Sequence, residues 1–346
     1  MGIYKILDSV PESDYKKIYN FLKNHWKANH ALVLSKELLD FQHLDKDKGC
    51  YHFIVAENTI TGEIDSLTGY IPTWQYDKEL YENGDYWGAI WKTREDVKND
   101  EIGLTGTDVF IRLFKLPNFQ SEAGIGLSND AKKACKAFRY KFGFMNQYYI
   151  FNNSKKKYNI ADHVTEDAFL DPSIQKMAGW ELKWIDFDQL DNNELKPYYH
   201  PIKSIEFLRN RYQKHPIYHY DCLGLYREKL LRAALITRTI EINGSKVLRI
   251  VDAFGKLDGH IYNSMQVILR EGDYEYVDFL NYGIDNSAFK EMGFRELDFD
   301  NDSLILPGYF EPFEKKNVRL TIVHKDKYDN YVGFKGDADQ DRPNII

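Results

Sequence analysis

The feature that most constrains the fold of this chain is an internal repeat. The segment ELLDFQHLDKDKGCYHFIVAE (37–57) resembles EFLRNRYQKHPIYHYDCLGLY (206–226), and both contain a Tyr-His-aromatic step beside a predicted strand. Further along, LSNDAKKACKAFRYKFGF (127–144) corresponds to GIDNSAFKEMGF (283–294). The two correspondences keep the same order in both halves. The chain is therefore predicted to contain two copies of one domain, and each motif can be compared with its counterpart.

Both halves carry the same predicted order of helices and strands around a central antiparallel hairpin. In the second half, Asn243-Gly244 separates two alternating apolar runs, which is a strong signal for a two-residue hairpin. We expect an α/β fold of the α+β type, built from two tandem domains with mixed central sheets flanked by helices. The predicted boundaries are 1–152 for the first domain, 153–202 for a packed connector and 203–346 for the second domain with its tail.

Composition and charge exclude several classes of protein. The 346 residues are 43% hydrophobic and 15% aromatic, which is enough for two sizeable cores. A formal net charge of -7 argues against a nucleic-acid-binding surface. Cys50, Cys135 and Cys222 are widely spaced and form no metal-type cluster, so we expect reduced thiols and no metal. No run has the length of a signal peptide or a membrane span, which predicts a cytoplasmic protein without membrane insertion.

The stretch NDEIGLTGTDVF (99–110) places two glycines and two threonines ahead of a helical pattern. A helix N-terminus offers unpaired N–H groups and the positive end of the helix dipole. The stretch could therefore be an ordinary capped helix start or a cradle for phosphate. Local features alone favour the capped start.

Several further stretches carry a resemblance to a known family, namely LTGYIPTWQYD, WGAIWKT, NQYYIFN, RYQKHPIYHY and FKGDADQDRPN. Together with the order of elements, they resemble the GNAT (GCN5-related N-acetyltransferase) fold in tandem. More closely, they resemble bacterial surface-polysaccharide acyltransferases that N-acylate nucleotide-linked amino sugars. The resemblance implies acyl-coenzyme A as donor and a dTDP- or UDP-linked amino sugar as acceptor.

The sequence departs from the family pattern at two places. The phosphate-binding loop of the family carries Gln or Arg before its glycines, whereas this chain has Glu101, which we expect to face away from the phosphates. The family also places a tyrosine that protonates the leaving thiolate four residues before a terminal glycine. Counted back from Gly143, that position is Arg139, and Tyr140 lies one place away.

The resemblance assigns the coenzyme to the first half of the chain. The strand at 86–93, which could equally be an ordinary core strand, would pair with the pantetheine at Ile90, Trp91 and Lys92. The phosphate loop would comprise Ile102, Gly103, Leu104, Thr105, Gly106 and Thr107, with Asn129 opening the next helix. The matching stretch of the second half, DAFGKLDGHIYN, carries Asp252 and Asp258 where a phosphate would sit. Since carboxylates repel a pyrophosphate, the second half is expected to be a degenerate copy that shapes the acceptor site.

The residues expected at the acceptor site also follow from the family resemblance. The general base would be His43 or Asp77, unless water takes the amine proton. Residues expected to contact the sugar or its phosphates are Thr73, Gln75, Tyr149, Arg211, Asp339, Asp341 and Arg342. The last three belong to the C-terminal tail, which could also be a solvated terminus or an incomplete calcium-like loop.

Three functions compete at this point. The first is an acyl-CoA-dependent N-acyltransferase acting on a nucleotide amino sugar. The second is a tandem transferase that uses an aminoacyl-tRNA donor, against which the acidic balance counts. The third is a non-catalytic sugar-binding module. The sequence does not fix the oligomeric state, and a homodimer is one option.

Overall fold

The computed structural model describes residues 2–169, 179–339 and 341. These residues form two compact units. Unit 1 contains residues 2–141 and Val323–Tyr328, and unit 2 contains Phe142–Ile322 and Asp329–Asp341. Each unit therefore includes a segment from the opposite half of the sequence. The domain boundaries expected from the repeat stay predictions.

Eight α-helices lie in the described part of the chain. They are α1 (Tyr15–Phe21), α2 (Ala31–Leu34), α3 (Lys36–His43), α4 (Ile102–Arg112), α5 (Asn129–Ala137), α6 (Ile205–Leu208), α7 (Tyr262–Glu271) and α8 (Asn286–Met292). Two of the helices, α1 and α6, continue as π-helical segments at Leu22–Trp26 and Arg209–Gln213.

The first ten strands of the described chain are β1 (Tyr4–Leu7), β2 (Val10–Pro11), β3 (Leu44–Asp45), β4 (Cys50–Tyr51), β5 (Phe53–Asn58), β6 (Ile64–Pro72), β7 (Asp85–Thr93), β8 (Ser121–Ile125), β9 (Lys141–Phe144) and β10 (Asn146–Phe151). The later strands are β11 (Trp180–Ile185), β12 (Asp221–Arg227), β13 (Leu230–Ile242), β14 (Ser245–Gly255), β15 (Tyr274–Tyr282), β16 (Arg295–Glu296), β17 (Tyr309–Phe310), β18 (Phe313–Glu314), β19 (Thr321–Asp326) and β20 (Gly333–Phe334).

Unit 1 is built on a seven-stranded sheet in the order β1-β5-β6-β7-β8-β19-β9. The chain passes from one unit to the other within β9 and within β19. Strand β5 is buried along almost its whole length because helices cover both faces of the sheet. Phe53 and Val55 pack with Leu38 of α3. Ile54 and Ala56 point the opposite way and pack with Val109 of α4.

Unit 2 repeats this architecture around a sheet in the order β11-β12-β13-β14-β15-β10-β16, with β20 added to β15. Leu248 and Ile250 of β14 pack with Met265 of α7, and Val247 enters a second core on the other face. Strand β10, which the sequence placed at the end of the first domain, pairs antiparallel with β15 in this sheet. Unit 2 therefore has mixed pairing, since β14 and β15 are parallel.

The local predictions differ in how well they match the structure. The hairpin at Asn243-Gly244 is confirmed, because both residues have positive φ and join β13 to β14. Strand β7 runs over Asp85–Thr93 and so contains the strand predicted at 86–93. The helix expected to begin at Asn129 is α5, and it ends at Ala137 because Arg139 adopts a positive φ of 60° and turns the chain into β9.

Candidate active site

The candidate site of unit 1 is the gap between β7 and β8. These parallel strands are paired from Asp85 and Ser121 as far as Trp87 and Ala123, and no further pair is found in the described residues. Strand β7 nevertheless continues to Thr93 and β8 to Ile125. We call this gap the unit 1 cleft. It leaves the backbone edge of β7 beyond Gly88 available to a partner.

A β-bulge lies at the point where the strands separate. The register between β6 and β7 pairs Tyr70 with Gly88 but Thr68 with Trp91, so β7 carries one extra residue between them. Bulges redirect backbone groups and are frequent beside active sites. The bulge therefore changes the direction of the β7 backbone at the mouth of the unit 1 cleft.

The titratable side chain at this point is Glu122 of β8. It is buried, and the Tyr140 hydroxyl donates a hydrogen bond to it, as does the backbone N–H of Gly88. Burial raises the pKa of Glu122 to about 7, and burial also raises the pKa of Tyr140. Near neutral pH, Glu122 is therefore divided between its acid and its carboxylate, which suits a group that gives or takes a proton.

Sequence reasoning missed Glu122 and placed Tyr140 one position away from the family tyrosine. The signal for Glu122 was a single acid inside the otherwise small and apolar strand SEAGI. Tyr140 is directed inward because α5 ends at Ala137 and the Tyr140 N–H bonds to the Cys135 carbonyl. The family spacing, counted from Gly143, falls on Arg139, but the inward side chain is the next residue.

The phosphate loop predicted at 102–107 is helical, because α4 begins at Ile102. The Asn99 side chain accepts hydrogen bonds from the N–H groups of Glu101 and Ile102 and so caps the helix. The Glu101 carboxylate accepts a bond from the N–H of Ile3 at 2.8 Å. Thr105 is buried, and its hydroxyl donates to the Ile102 carbonyl instead of facing solvent. A phosphate that binds here would therefore contact the first turn of α4 and not a loop.

The other predicted coenzyme residues have distinct environments. Leu104, Thr107 and Asn129 are exposed. Ile90 is buried in a core cluster, and Lys92 forms an ion pair with Glu95.

The two glycines of the stretch are not equivalent. A Cβ atom on Gly103 would have no neighbour within 4 Å, so the backbone there is open. A Cβ atom on Gly106 would lie 2.5 Å from Thr93 Oγ1, and the Trp91 indole donates to the Gly106 carbonyl at 2.9 Å. Gly106 therefore serves the close approach of α4 to β7, whereas Gly103 leaves space for a ligand.

The predicted bases make structural contacts within unit 1. His43 Nδ1 lies 3.1 Å from the Tyr70 carbonyl oxygen, and its ring packs on Phe53. Asp77 accepts a hydrogen bond from the Glu79 N–H at 3.0 Å and caps a short 3-10 helix. Their catalytic roles stay predictions.

Two residues predicted to contact the sugar also lie in unit 1. Thr73 donates to the Asp85 carbonyl, and the Gln75 amide donates to the carbonyls of Phe41 and Leu44. These bonds hold the segment between β6 and β7 in place.

Unit 2 contains the same divergence, but its own chain fills it. Strands β14 and β15 are paired as far as Ile250 and Phe279, and β14 carries a bulge at the next residue. The Gly336 N–H donates to the Val251 carbonyl at 2.7 Å, and the Lys335 N–H donates to the Leu280 carbonyl at 3.2 Å. We call residues 333–337 the plug. It bonds to both separated strands and occupies the space between them.

Buried charges hold the plug in place. Lys203 binds the carboxylates of Asp252 and Asp337, each at 2.7 Å, and Tyr212 donates to Asp252. Arg211 donates to the Gly336 carbonyl at 3.3 Å. Asp252, predicted to repel a phosphate, is thus neutralised by Lys203. The plug, rather than exposed negative charge, closes the cleft of unit 2.

The remaining predicted acceptor residues lie in unit 2. Tyr149 is buried in β10 opposite Asp278. Asp339 is buried, and Asp341 binds the Tyr220 hydroxyl at 2.6 Å and Arg238 at 3.0 Å. The described tail is therefore packed rather than solvated. Arg342 lies outside the described residues.

Two features are absent from the described residues, namely a metal-type cluster and a membrane-spanning helix. No group of three or more His, Cys, Asp or Glu side chains is placed to hold a metal ion. Within the same residues, no helix combines the length and the apolar character required to cross a membrane.

Solved structures share this architecture. A GCN5-related N-acetyltransferase from Anabaena variabilis aligns over 92% of this chain and 72% of its own, with a TM-score of 0.52 and 9% identity. A probable N-acyltransferase of unknown function from Enterococcus faecalis aligns over 94% and 72%, with a TM-score of 0.54 and 10% identity. The chain has the GNAT fold. The predicted fold class, tandem GNAT-like domains with mixed sheets flanked by helices, is thereby confirmed.

A third GNAT-fold structure extends the comparison. A GCN5-related N-acetyltransferase from Kribbella flavida aligns over 93% of this chain and 71% of its own, with a TM-score of 0.51 and 7% identity. Comparison of the sequence with protein-family models and with curated proteins gave no match. At identities this low, the structural likeness establishes the GNAT fold but not the substrate.

Proposed function

We propose that this chain is an acyl-CoA-dependent N-acyltransferase whose unit 1 cleft holds the donor. The observation that carries the proposal is the separation of β7 from β8 at a bulge, where no described segment bonds to both strands as the plug does in unit 2. Pantetheine is an extended chain with two amides, and it can pair with the β7 edge as an added strand would. The pyrophosphate would lie at the first turn of α4, where Gly103 leaves the backbone open.

The acyl-CoA supplies a thioester that is already activated for transfer to an amine. The backbone of β7 near Ile90 would orient the acyl group, and Glu122 would accept the proton that the amine loses. Its pKa of about 7 matches this task at neutral pH. Tyr140, bonded to Glu122, is placed to pass a proton within the same pair. We therefore prefer Glu122 as the base over His43 and Asp77.

We further propose that the acceptor is the amino group of a dTDP- or UDP-linked amino sugar used in surface polysaccharide synthesis in the cytoplasm. The sequence resemblance described above supports this choice. In the proposal, 1–152 supplies the donor site, 153–202 is a connector, and 203–346 is the degenerate copy. Arg211, Asp339 and Asp341 would act mainly by holding the described tail in place.

The proposal is tested first by binding. Titration with acetyl-, propionyl- and 3-hydroxybutyryl-CoA is expected to raise the melting temperature for at least one donor. That donor is then tested with dTDP- and UDP-linked amino sugars, and transfer is followed by release of free thiol. If none of the three donors stabilises the protein, the proposed donor class is wrong.

The role of Glu122 is tested separately. Glu122→Gln is expected to lower kcat about 100-fold or more while acyl-CoA still binds, since general-base catalysis contributes on that scale. Asp77→Asn and His43→Gln are the matched comparisons and are expected to retain most of the activity. A Glu122→Gln enzyme with wild-type kcat would rule out Glu122 as the base.

A further inference from the structure

One cavity of unit 2 is lined by none of the plug residues. Its volume is about 620 Å³, within the range of small-molecule sites. The end of β11, the start of β12, the C-terminus of α7 and the start of β15 form its walls. Trp184 is 45% exposed as a residue and the His219 side chain is 86% exposed, so a ligand can enter this cavity from solvent.

Aromatic rings line the cavity. Trp184 and Phe187 come from the β11 side, and Tyr220 and Tyr274 come from the starts of β12 and β15. The face of an aromatic ring carries partial negative charge and attracts cations, tryptophan most strongly. The cavity therefore offers flat surfaces suited to an organic cation.

The charged groups of the cavity point to the same kind of ligand. Its lining includes the carboxylates of Asp186, Asp221 and Glu271 and, among the described residues, no lysine or arginine. The His219 ring also lies at this cavity, with Nε2 3.1 Å from Asp221 Oδ1. Such a cavity repels phosphates and carboxylates and attracts positive charge. It is thus chemically unlike a site for coenzyme A.

The walls are held in place by contacts within unit 2. The Tyr220 hydroxyl donates to Asp341, and the Tyr274 hydroxyl bonds to Thr239 at 2.9 Å. Asp186 and Gln189 form a capping box, which fixes the turn after β11. A preformed site loses little conformational entropy when a ligand binds.

We propose that this cavity is a binding site for a small organic ammonium ion that also carries polar groups. The ammonium group would lie between the Trp184 ring and the carboxylates of Asp221 and Glu271. The amides of Gln189 and Gln213 would bind neighbouring hydroxyl or amine groups. Amino sugars and polyamines share this chemistry. The inference concerns a second site and does not depend on the proposed transferase activity.

Calorimetric titration of the full chain with glucosamine, spermidine and glucose tests the ligand class. Glucosamine, spermidine or both are expected to bind at least about tenfold more tightly than glucose, which lacks the ammonium group, because tenfold corresponds to one cation–π contact plus a carboxylate contact. Binding of glucosamine alone identifies an amino-sugar site, and binding of spermidine alone identifies a polyamine site. Equal affinity for glucose and glucosamine, or no binding of any probe, overturns the proposal.

Variants locate the site. Trp184→Ala and Glu271→Gln are each expected to weaken ammonium binding about fivefold or more, and both residues are exposed enough for the fold to survive. Glu241→Gln is the control, because it removes the same charge from an exposed residue of β13 that does not line the cavity. Equal weakening by Glu241→Gln would show that only overall surface charge matters, and the proposed site would be wrong. Binding of acetyl-CoA, measured in parallel, separates this result from the fate of the proposed transferase.

Discussion

The two clefts share a geometry and differ in what fills them. In each unit a pair of parallel strands separates beside a bulge, after Trp87 in β7 and after Ile250 in β14. In unit 2 the plug bonds to both separated strands, whereas in unit 1 the buried pair of Glu122 and Tyr140 lies beside the separation. The comparison teaches that a duplicated fold can retain the shape of a binding cleft in both copies while its own tail occupies one of them.

The same contrast appears in the two acids that precede the separations. Glu122 and Asp278 each lie one residue before the last parallel pair of their strand. Asp278 is bound by Arg249 at 2.6 and 3.0 Å and by the Gln147 amide at 2.9 Å. Glu122 is bonded to a tyrosine hydroxyl and a backbone N–H instead of a cation. Asp278 is a member of a structural ion pair, whereas Glu122 is able to titrate.

The largest expected effect comes from breaking the ion pair of unit 2. Arg249→Met leaves the Asp278 carboxylate buried without its cation, and such a change destabilises a protein by about 3–5 kcal/mol. The free energy of unfolding, measured by urea denaturation at pH 7, is expected to fall by that amount.

A second variant separates lost charge pairing from lost packing. Adding Asp278→Leu to Arg249→Met removes the unpaired charge, so a large part of the lost stability is expected to return. If the double variant is no more stable than Arg249→Met, then packing of the long arginine side chain, rather than its charge, stabilises this part of unit 2.

The next effect is a pH dependence from Glu122. Because burial raises its folded pKa from 4.5 to about 7, the folded state binds more protons than the unfolded state between these values. Stability is therefore highest below pH 4.5 as far as this group is concerned, and it falls as the pH rises to 7. The contribution lost is on the order of 3 kcal/mol.

Comparison of wild type with Glu122→Gln isolates this contribution. Burial also raises the pKa of Asp85 to about 6, which adds a second pH-dependent contribution of the same sign to stability. Both proteins contain Asp85, so this contribution cancels in the comparison. The difference in unfolding free energy between the two proteins is expected to change in favour of Glu122→Gln from pH 5 to pH 8. A constant difference would show that Glu122 does not titrate in this range.

Short-range sequence patterns correctly predicted a strand, a hairpin and the presence of two similar domains. Strand β7 and the Asn243-Gly244 hairpin follow from alternation and turn chemistry, which act between near neighbours. The repeat indicated two copies of one domain. These features need no knowledge of distant contacts, and the structure retains them.

Long-range features were not predictable in the same way. The pair of Glu122 and Tyr140 forms only after α5 ends and the chain turns at Arg139. The plug looks like an acidic tail in the sequence, because its partner Lys203 lies far away along the chain. The family resemblance predicts a phosphate loop at 102–107, whereas Asn99 caps a helix that begins at Ile102 and the Trp91 indole donates to the Gly106 carbonyl.

A smaller loss of stability is expected when a methyl group is added at the filled cleft of unit 2. A Cβ on Gly336 would lie 2.5 Å from the Tyr212 hydroxyl and 2.9 Å from the Val251 carbonyl oxygen, so Gly336→Ala must displace the plug. We expect a loss of about 1–3 kcal/mol, typical of overpacking in a filled space. Thermal unfolding of the full chain measures it.

Gly88→Ala is the matched change in unit 1. Its Cβ would lie 2.5 Å from Glu122 Oε1, the end of a flexible side chain that can move aside. We expect a stability loss below that of Gly336→Ala, together with an altered pH dependence because the bond from Gly88 to Glu122 is disturbed. Equal losses in both variants would mean that the unit 1 cleft is packed as tightly as its counterpart.

The smallest effect on stability is expected at Gly103, where binding rather than folding is at stake. Gly103→Val adds a side chain that meets no neighbour within 4 Å, and the helix propensities of the two residues differ by roughly 0.5 kcal/mol. Unfolding should therefore change little. If the first turn of α4 holds the pyrophosphate, the affinity for acetyl-CoA should fall about tenfold, equivalent to roughly 1.4 kcal/mol.

Leu104→Val is the control for Gly103→Val, because Leu104 already carries an exposed side chain on the next residue of α4. It is expected to bind acetyl-CoA as the wild type does. The second half offers no equivalent control at Gly255, since φ is +90° there and a Cβ would lie 2.5 Å from the Arg232 carbonyl oxygen. If Gly103→Val binds acetyl-CoA with wild-type affinity, the phosphates do not bind at the first turn of α4. The open backbone at Gly103, in contrast to the close packing at Gly106, would then have no role in binding.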